Sequence, residues 1–201
     1  MKQCSDKEFD LAIVDPPYGI EDKIQYHENG TAKNRLYAQS RWDSAIPSAE
    51  YFQELQRISK NQIIWGGNYF AHLLPPSRGW IFWQKFSHNN KKYSHGELAW
   101  TSFDRKLEMI KYYPDGISHD SQVIHPTQKP IFIYDWLLIN FSKVGDKIID
   151  THLGSGGSRI ACEKAGLDFV GCERDVIHYQ NQEKRFKDHL VQGRLFDLSL
   201  I

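Results

Sequence analysis

Lys147-Ile148-Ile149-Asp150-Thr151-His152-Leu153-Gly154-Ser155-Gly156-Gly157 gives this chain its architecture. An apolar run ends in an acid, a glycine-rich loop follows, and Ser158 to Ala165 continues as a helix. Asp168 to Cys172 is the next strand, closed by Glu173, about twenty residues beyond the first acid. Strand, glycine loop, helix, strand and acid in that order describe a unit of a parallel α/β sheet. Glycines after the first strand let a backbone approach a ligand closely, and an acid ending the second accepts hydrogen bonds from ribose hydroxyls. The pattern points to an adenosine-bearing cofactor. A dinucleotide is disfavoured, because the third glycine of GxGxxG counted from Gly154 falls on Arg159.

Working outward, strands alternate with helices. Asp10 to Val14, Gln62 to Trp65, Trp80 to Trp83 and Glu97 to Phe103 read as strands, and Lys106 to Tyr113 as extended. Ser48 is placed to cap a helix with the stripe Tyr51, Phe52, Leu55 and Ile58. Asn68 to Leu74 reads as a short helix stopped by Pro75-Pro76. Pro130 opens a helix through about Phe141 whose buried side carries Ile133, Trp136, Leu137 and Ile139-Asn140-Phe141. A long helix runs from about Val176 to Leu190, and Arg194 to Ile201 is read as a last strand. The 201 residues form one domain, with a flexible loop over 19–43 and a small target-recognition insertion within 78–124.

The strand Leu11-Ala12-Ile13-Val14 ends in Asp15-Pro16-Pro17-Tyr18. The two prolines fix an extended turn. That turn presents a carboxylate, a free carbonyl and an aromatic face together at a strand's C-terminal end, where ligands bind in open α/β sheets. Two acceptors beside a stacking ring suit a planar, amino-bearing base.

Composition sets limits on the rest. Lys+Arg and Asp+Glu are both 25, so any basic surface arises by local segregation. Between Arg78 and Lys111 the cations Lys85, Lys91, Lys92 and Arg105 stand out as candidate phosphate contacts, with Asn89 and Asn90 as candidate base readers. The three cysteines, Cys4, Cys162 and Cys172, form no CxxC pair, which argues against a disulfide framework or a metal site and fits a cytoplasmic protein. No apolar run approaches the roughly 20 residues of a membrane span, and Met1 to Asp10 has no signal-peptide pattern.

His125-Pro126-Thr127-Gln128-Lys129-Pro130 precedes the glycine-loop strand. Taken with DPPY and the glycine loop, it makes the chain resemble the amino-group DNA methyltransferases that use S-adenosyl-L-methionine, in the permuted order with DPPY first. The likeness runs from about Phe9 to Asp175. It implies a Rossmann-like fold, a seven-stranded mostly parallel sheet with helices on both faces and one antiparallel strand. Residue by residue, it implies that Asp15 and the Pro16 carbonyl accept from the target amino group, with Pro17 shaping the turn and Tyr18 stacking on an extruded base. Asp150, His152, Gly154, Ser155 and Gly156 would form the cofactor pocket, Glu173 would hold the ribose, and Thr127 and Lys129 would line the cofactor's other side. The sequence departs from the family at Thr151 and His152, where Pro and Phe are common, and at Gly157, where threonine is usual.

The implied function is adenine-N6 methylation of DNA by a monomer or homodimer, of restriction–modification or phage type. Aspartate in the first motif position favours adenine, while serine is commoner in cytosine-N4 enzymes. Cytosine-C5 chemistry is excluded, since it needs a Pro-Cys nucleophile and no cysteine here follows proline. Methylation of RNA or of a glutamine amide is disfavoured by the leading aspartate and by motif order. A cytosine-N4 enzyme and an inactive DNA-binding relative are the alternatives.

Overall fold

The computed structural model describes residues 1–20, 43–86, 94–113, 124–125 and 127–198, with side chains through 192. Its strands are β1 (Phe9–Val14), β2 (Ser59–Trp65), β3 (Trp80–Gln84), β4 (Gly96–Thr101), β5 (Glu108–Lys111), β6 (Lys147–Asp150) and β7 (Asp168–Gly171). The helices are α1 (Ala49–Ile58), α2 (Ile131–Phe141), α3 (Gly157–Ala165) and α4 (Val176–Leu198). All seven strands join one sheet in the order β5-β3-β4-β2-β1-β6-β7. Only β4 runs antiparallel, pairing with β2 and β3 in that sense, while the other pairings are parallel. This is the Rossmann-like methyltransferase fold that the motifs imply.

Alternation along the central strands builds a core on each face. Leu11 and Ile13 of β1, with Ile148 of β6, meet Ile133 and Leu137 of α2 and Ala161 of α3. Ala12 and Val14, with Ile149, meet Phe52, Leu55 and Ile58 of α1 on the opposite face. Ser48 caps α1 as the sequence predicts, its Oγ accepting from the Tyr51 N–H at 3.3 Å. Among the described residues no helix is long and apolar enough to cross a membrane.

Three expectations are corrected. The buried side of α2 is Ile133, Tyr134, Leu137, Leu138 and Phe141, and Ile139 is 81% exposed. Nearly every position of this helix is apolar, so its periodicity carries no rotational phase. The segment after β2 forms two 3-10 turns, Gly67–Tyr69 and Ala71–Leu73, because Gly66 leaves the strand in the left-handed region at φ 69°. The last strand is absent from Arg194 to Leu198, where α4 simply continues. Gly193 fails to stop it, since an interior glycine costs a helix only about 1 kcal/mol. The loop expected over 19–43 lies, apart from its ends, outside the described residues, as do 87–93 and 114–123 of the recognition insertion expected within 78–124, whose described residues include β3, β4 and β5 of the sheet.

β1 and β6 are neighbours, paired Leu11 to Ile148 and Ala12 to Ile149. Their C-terminal ends therefore emerge side by side. The acid–proline turn and the glycine loop share one crevice, the place where α/β sheets bind ligands.

Candidate active site

Asp15 leaves the end of β1 with both carboxylate oxygens engaged. Oδ1 accepts from the Tyr18 hydroxyl at 2.6 Å and Oδ2 from Lys129 Nζ at 2.5 Å. The turn is fixed from below by Asp43, a buried acid that sequence reading missed. Its Oδ1 accepts from the Tyr18 N–H at 2.5 Å and the Gly19 N–H at 2.9 Å. Burial, the largest influence, pushes the Asp43 carboxyl above its usual range despite these bonds.

The Tyr18 ring stacks on Tyr69, with centroids 4.9 Å apart and planes at 14°. It also packs against Gly66, where an added Cβ would sit 2.1 Å from the ring. Gly66→Ala is therefore expected to push the tyrosine off Asp15. The cost is about 1–3 kcal/mol of overpacking, with a further 1–2 kcal/mol or so from the positive φ. Chemical denaturation and the loss of methyl transfer would register it; an unchanged unfolding midpoint would contradict the packing.

On the cofactor side, Asp150 is buried at the end of β6, accepting from Ser158 Oγ at 2.6 Å and from the His152 N–H at 2.9 Å. Burial raises its carboxyl to about 7. Glu173 sits at the end of β7, with Oε2 accepting from the Gly154 N–H at 2.9 Å and Oε1 from the Asp175 N–H at 2.8 Å. The Cys172 N–H bonds the Asp150 carbonyl and the Leu153 N–H the Cys172 carbonyl, so the two strand ends move as one piece. A Cβ on Gly154 would meet nothing closer than the His152 carbonyl at 3.8 Å, which leaves open space over the loop. From α4, Arg185 Nη1 donates to the Ser155 carbonyl at 2.7 Å and Gln182 packs against Gly156. Neither carries a motif, so neither is legible from sequence.

A family model described as DNA methylase, of the N6 and N4 kind, matches residues 75–183, more than half of the chain. The chain belongs to the N6/N4 DNA methylase family. The type II methyltransferase M2.LlaDCHI of Lactococcus lactis subsp. cremoris is 23% identical over 128 residues, which is 62% of this chain and 46% of that one. M2.DpnII of Streptococcus pneumoniae is 30% identical over 63 residues, 31% of this chain and 24% of that one. The matches thus span less than half the length of these relatives. Among solved structures, M1.HpyAVI in its complex with SAM superposes with a TM-score of 0.59 at 17% identity, covering 92% of this chain and 90% of that one. The cytosine-N4-specific PvuII DNA methyltransferase gives 0.55 at 10% identity over 87% and 78%.

Against this family background, Gly157 replaces the usual threonine for a packing reason. A Cβ there would lie 2.8 Å from the Tyr134 ring of α2, so the tyrosine fills the volume. Thr151 and His152 make a polar cluster with Tyr51, whose hydroxyl is 2.7 Å from Thr151 Oγ1 and 3.3 Å from His152 Nδ1. The Tyr51 and His152 rings meet edge-on at 5.3 Å. Burial lowers the imidazole to about 4, so it is neutral at physiological pH. A histidine depressed in the fold supports stability above its ordinary value of 6.5 and loses that support as pH falls toward 4. His152→Phe is accordingly expected to lose less stability than wild type between pH 7 and pH 4.5. Urea midpoints at the two pH values check this, and equal losses would contradict it.

The Lys129 ammonium is buried against Asp15 and also lies 3.0 Å from Glu97 Oε2. Thr127 is exposed, 3.2 Å from His125 Nδ1, and the His125 ring packs on His178 at the start of α4. Lys85 makes an ion pair with Glu97 and lies 4.9 Å over the Trp83 ring. Arg105 precedes β5 at the far end of the sheet, on the Asn140 carbonyl and over Phe141, and is not brought to the Asp15 end. Lys91, Lys92, Asn89 and Asn90 lie outside the described residues.

Proposed function

We propose that this protein transfers a methyl group from S-adenosyl-L-methionine to the exocyclic N6 amino group of adenine in DNA, acting on a base turned out of the duplex. One observation carries the reading: the Asp15 carboxylate and the Pro16 peptide stand at the end of β1, beside the glycine loop that ends β6. The residues suit the cofactor. Open space lies over Gly154, and each Glu173 oxygen, with one backbone N–H bound, keeps a lone pair for a ribose hydroxyl. M1.HpyAVI and the protein TTHA0409 of Thermus thermophilus were solved with this compound. TTHA0409 matches with a TM-score of 0.57 at 15% identity, over 94% of this chain and 90% of that one.

The cofactor, when bound, supplies a methyl group made electrophilic by its sulfonium. The protein's part is to make a poor nucleophile attack. An aromatic amine delocalises its lone pair into the ring. With both amino hydrogens held by Asp15 and the Pro16 carbonyl, the nitrogen pyramidalises and directs that pair outward. Alignment of this kind removes up to about 7–11 kcal/mol of barrier, and the carboxylate stabilises the positive charge growing on nitrogen. Turning the base out costs a few kcal/mol, and stacking on an aromatic ring returns about 1–3 kcal/mol. The exposed Tyr69, itself stacked on Tyr18, offers such a surface.

Adenine is preferred because the motif opens with aspartate. The test is digestion to nucleosides of unmethylated DNA after incubation with protein and methyl-labelled S-adenosylmethionine. Label in N6-methyldeoxyadenosine supports the proposal. Label in N4-methyldeoxycytidine would move the target to cytosine, and unlabelled DNA would leave the inactive relative.

A further inference from the structure

The catalytic acid of this site is already holding a cation. Lys129 is 4% exposed, and its ammonium lies between two carboxylates, Asp15 Oδ2 at 2.5 Å and Glu97 Oε2 at 3.0 Å. Aromatic faces close the remaining sides: the Trp65 ring centroid is 5.0 Å from Nζ and that of Tyr18 is 5.9 Å away. The two contacts are unequal. The one to Asp15 is a formed hydrogen bond, whereas Glu97 Oε2 is buried and has no well-directed hydrogen bond among the described residues. Its partner oxygen, Oε1, is pinned by Lys85, so the carboxylate cannot turn away. The Lys129 ammonium thus bridges both acids at rest, with its better-directed bond on Asp15, while the Glu97 carboxylate is fixed in place beside it.

We propose that Glu97 is a positioning residue for methyl transfer, retaining the Lys129 ammonium when the target amino group displaces it from Asp15. The inference rests on the amino-methylation reading above. The amine nitrogen gains positive charge as the methyl arrives, and a carboxylate stabilises that charge only while it is not neutralised by an adjacent ammonium. Releasing the ammonium from Oδ2 of Asp15 while it stays on Oε2 of Glu97 leaves net charge unchanged. It also keeps every buried charge paired, which a departure into solvent would not. No bond is made or broken in the exchange. In the resting protein the same ammonium keeps Asp15 from standing as an unpaired, partly buried charge, and it occupies the position the amine will take.

The test compares Glu97→Gln with the double variant Glu97→Gln/Lys129→Met in the full chain, using single-turnover methyl transfer to unmethylated genomic DNA. An amide at 97 cannot retain the ammonium as a carboxylate does, so the cation stays on Asp15. The expected result is a rate lower by about 10²-fold, with the calorimetric Kd for S-adenosylmethionine and the KM for DNA within about twofold of wild type. Removing the ammonium in the double variant should restore at least about tenfold of that loss. A purely structural Glu97 gives the opposite pattern, since the second substitution would then add damage. Wild-type rates in Glu97→Gln, or a double variant no faster than the single one, overturn the proposal. If Glu97→Gln does not fold by its melting curve, Glu97→Asp, which keeps the charge but shortens the reach, carries the same comparison. A wild-type protein that labels no DNA defeats the amino-methylation reading and this inference together. An active wild type with the wrong variant pattern defeats this inference alone.

Discussion

Asp15→Ala is expected to lower methyl transfer by about 10³-fold while the protein still binds S-adenosylmethionine. The carboxylate supplies one of two acceptors for the amino hydrogens and the negative charge facing the nitrogen as it becomes cationic. Nothing else among the described residues of the crevice duplicates it. Glu97 lies behind Lys129, and Glu173 is occupied with the Gly154 and Asp175 amides. Cofactor binding should survive because the groups framing that pocket come from β6, β7 and the glycine loop. Some stability will be lost, since breaking a buried ion pair costs about 3–5 kcal/mol when a charge is stranded. The loss is softened because Lys129 retains Glu97 at 3.0 Å. Calorimetry with the cofactor, run beside a methylation assay, separates chemistry from folding. Near-normal methylation by this variant would remove Asp15 from the mechanism.

The second large effect falls on affinity. Glu173→Ala is expected to weaken S-adenosylmethionine binding by about 10- to 100-fold, the equivalent of one charge-assisted hydrogen bond at about 1.5–3 kcal/mol. Removing the carboxylate deprives the Gly154 N–H and the Asp175 N–H of their acceptor. It therefore loosens the loop as well as deleting the ribose contact. Glu173→Gln, which keeps one acceptor oxygen, should fall between. At saturating cofactor the methylation rate should recover in both variants, because neither substitution touches Asp15. An unchanged Kd would place the ribose elsewhere.

The sequence discloses the site's frame because its signals are local. An apolar run ending in an acid and glycines is a strand and a loop whatever surrounds it, and β6 matches the predicted Lys147 to Asp150 at both ends. The prolines after Asp15 act on their immediate neighbours and are equally readable. The residues that complete the site are tertiary. Glu97 and Asp43 reach the turn from distant parts of the chain, and no spacing rule joins either to Asp15. Lys129 is legible as important, yet its pairing with Asp15 and Glu97 is not, because HPTQKP says nothing of what lies across the sheet. Clustering of cations along the sequence likewise does not tell where folding places them. Lys85 and Arg105 are close in sequence to other cations, but folding gives one to Glu97 and sends the other to the opposite end of the sheet. The glycine at 157 becomes intelligible only once the Tyr134 ring is seen against it.

The claim beneath all of this is that a carboxylate and a neighbouring peptide oxygen grip the amino group of an unstacked base. A crystal structure of the protein with a cofactor analogue and DNA containing its methylation site tests it directly. The expected result is an extrahelical adenine whose amino nitrogen lies about 2.6–3.2 Å from Asp15 and from the Pro16 carbonyl. An extrahelical base seated away from Asp15, or a target adenine still stacked in the duplex, would contradict it.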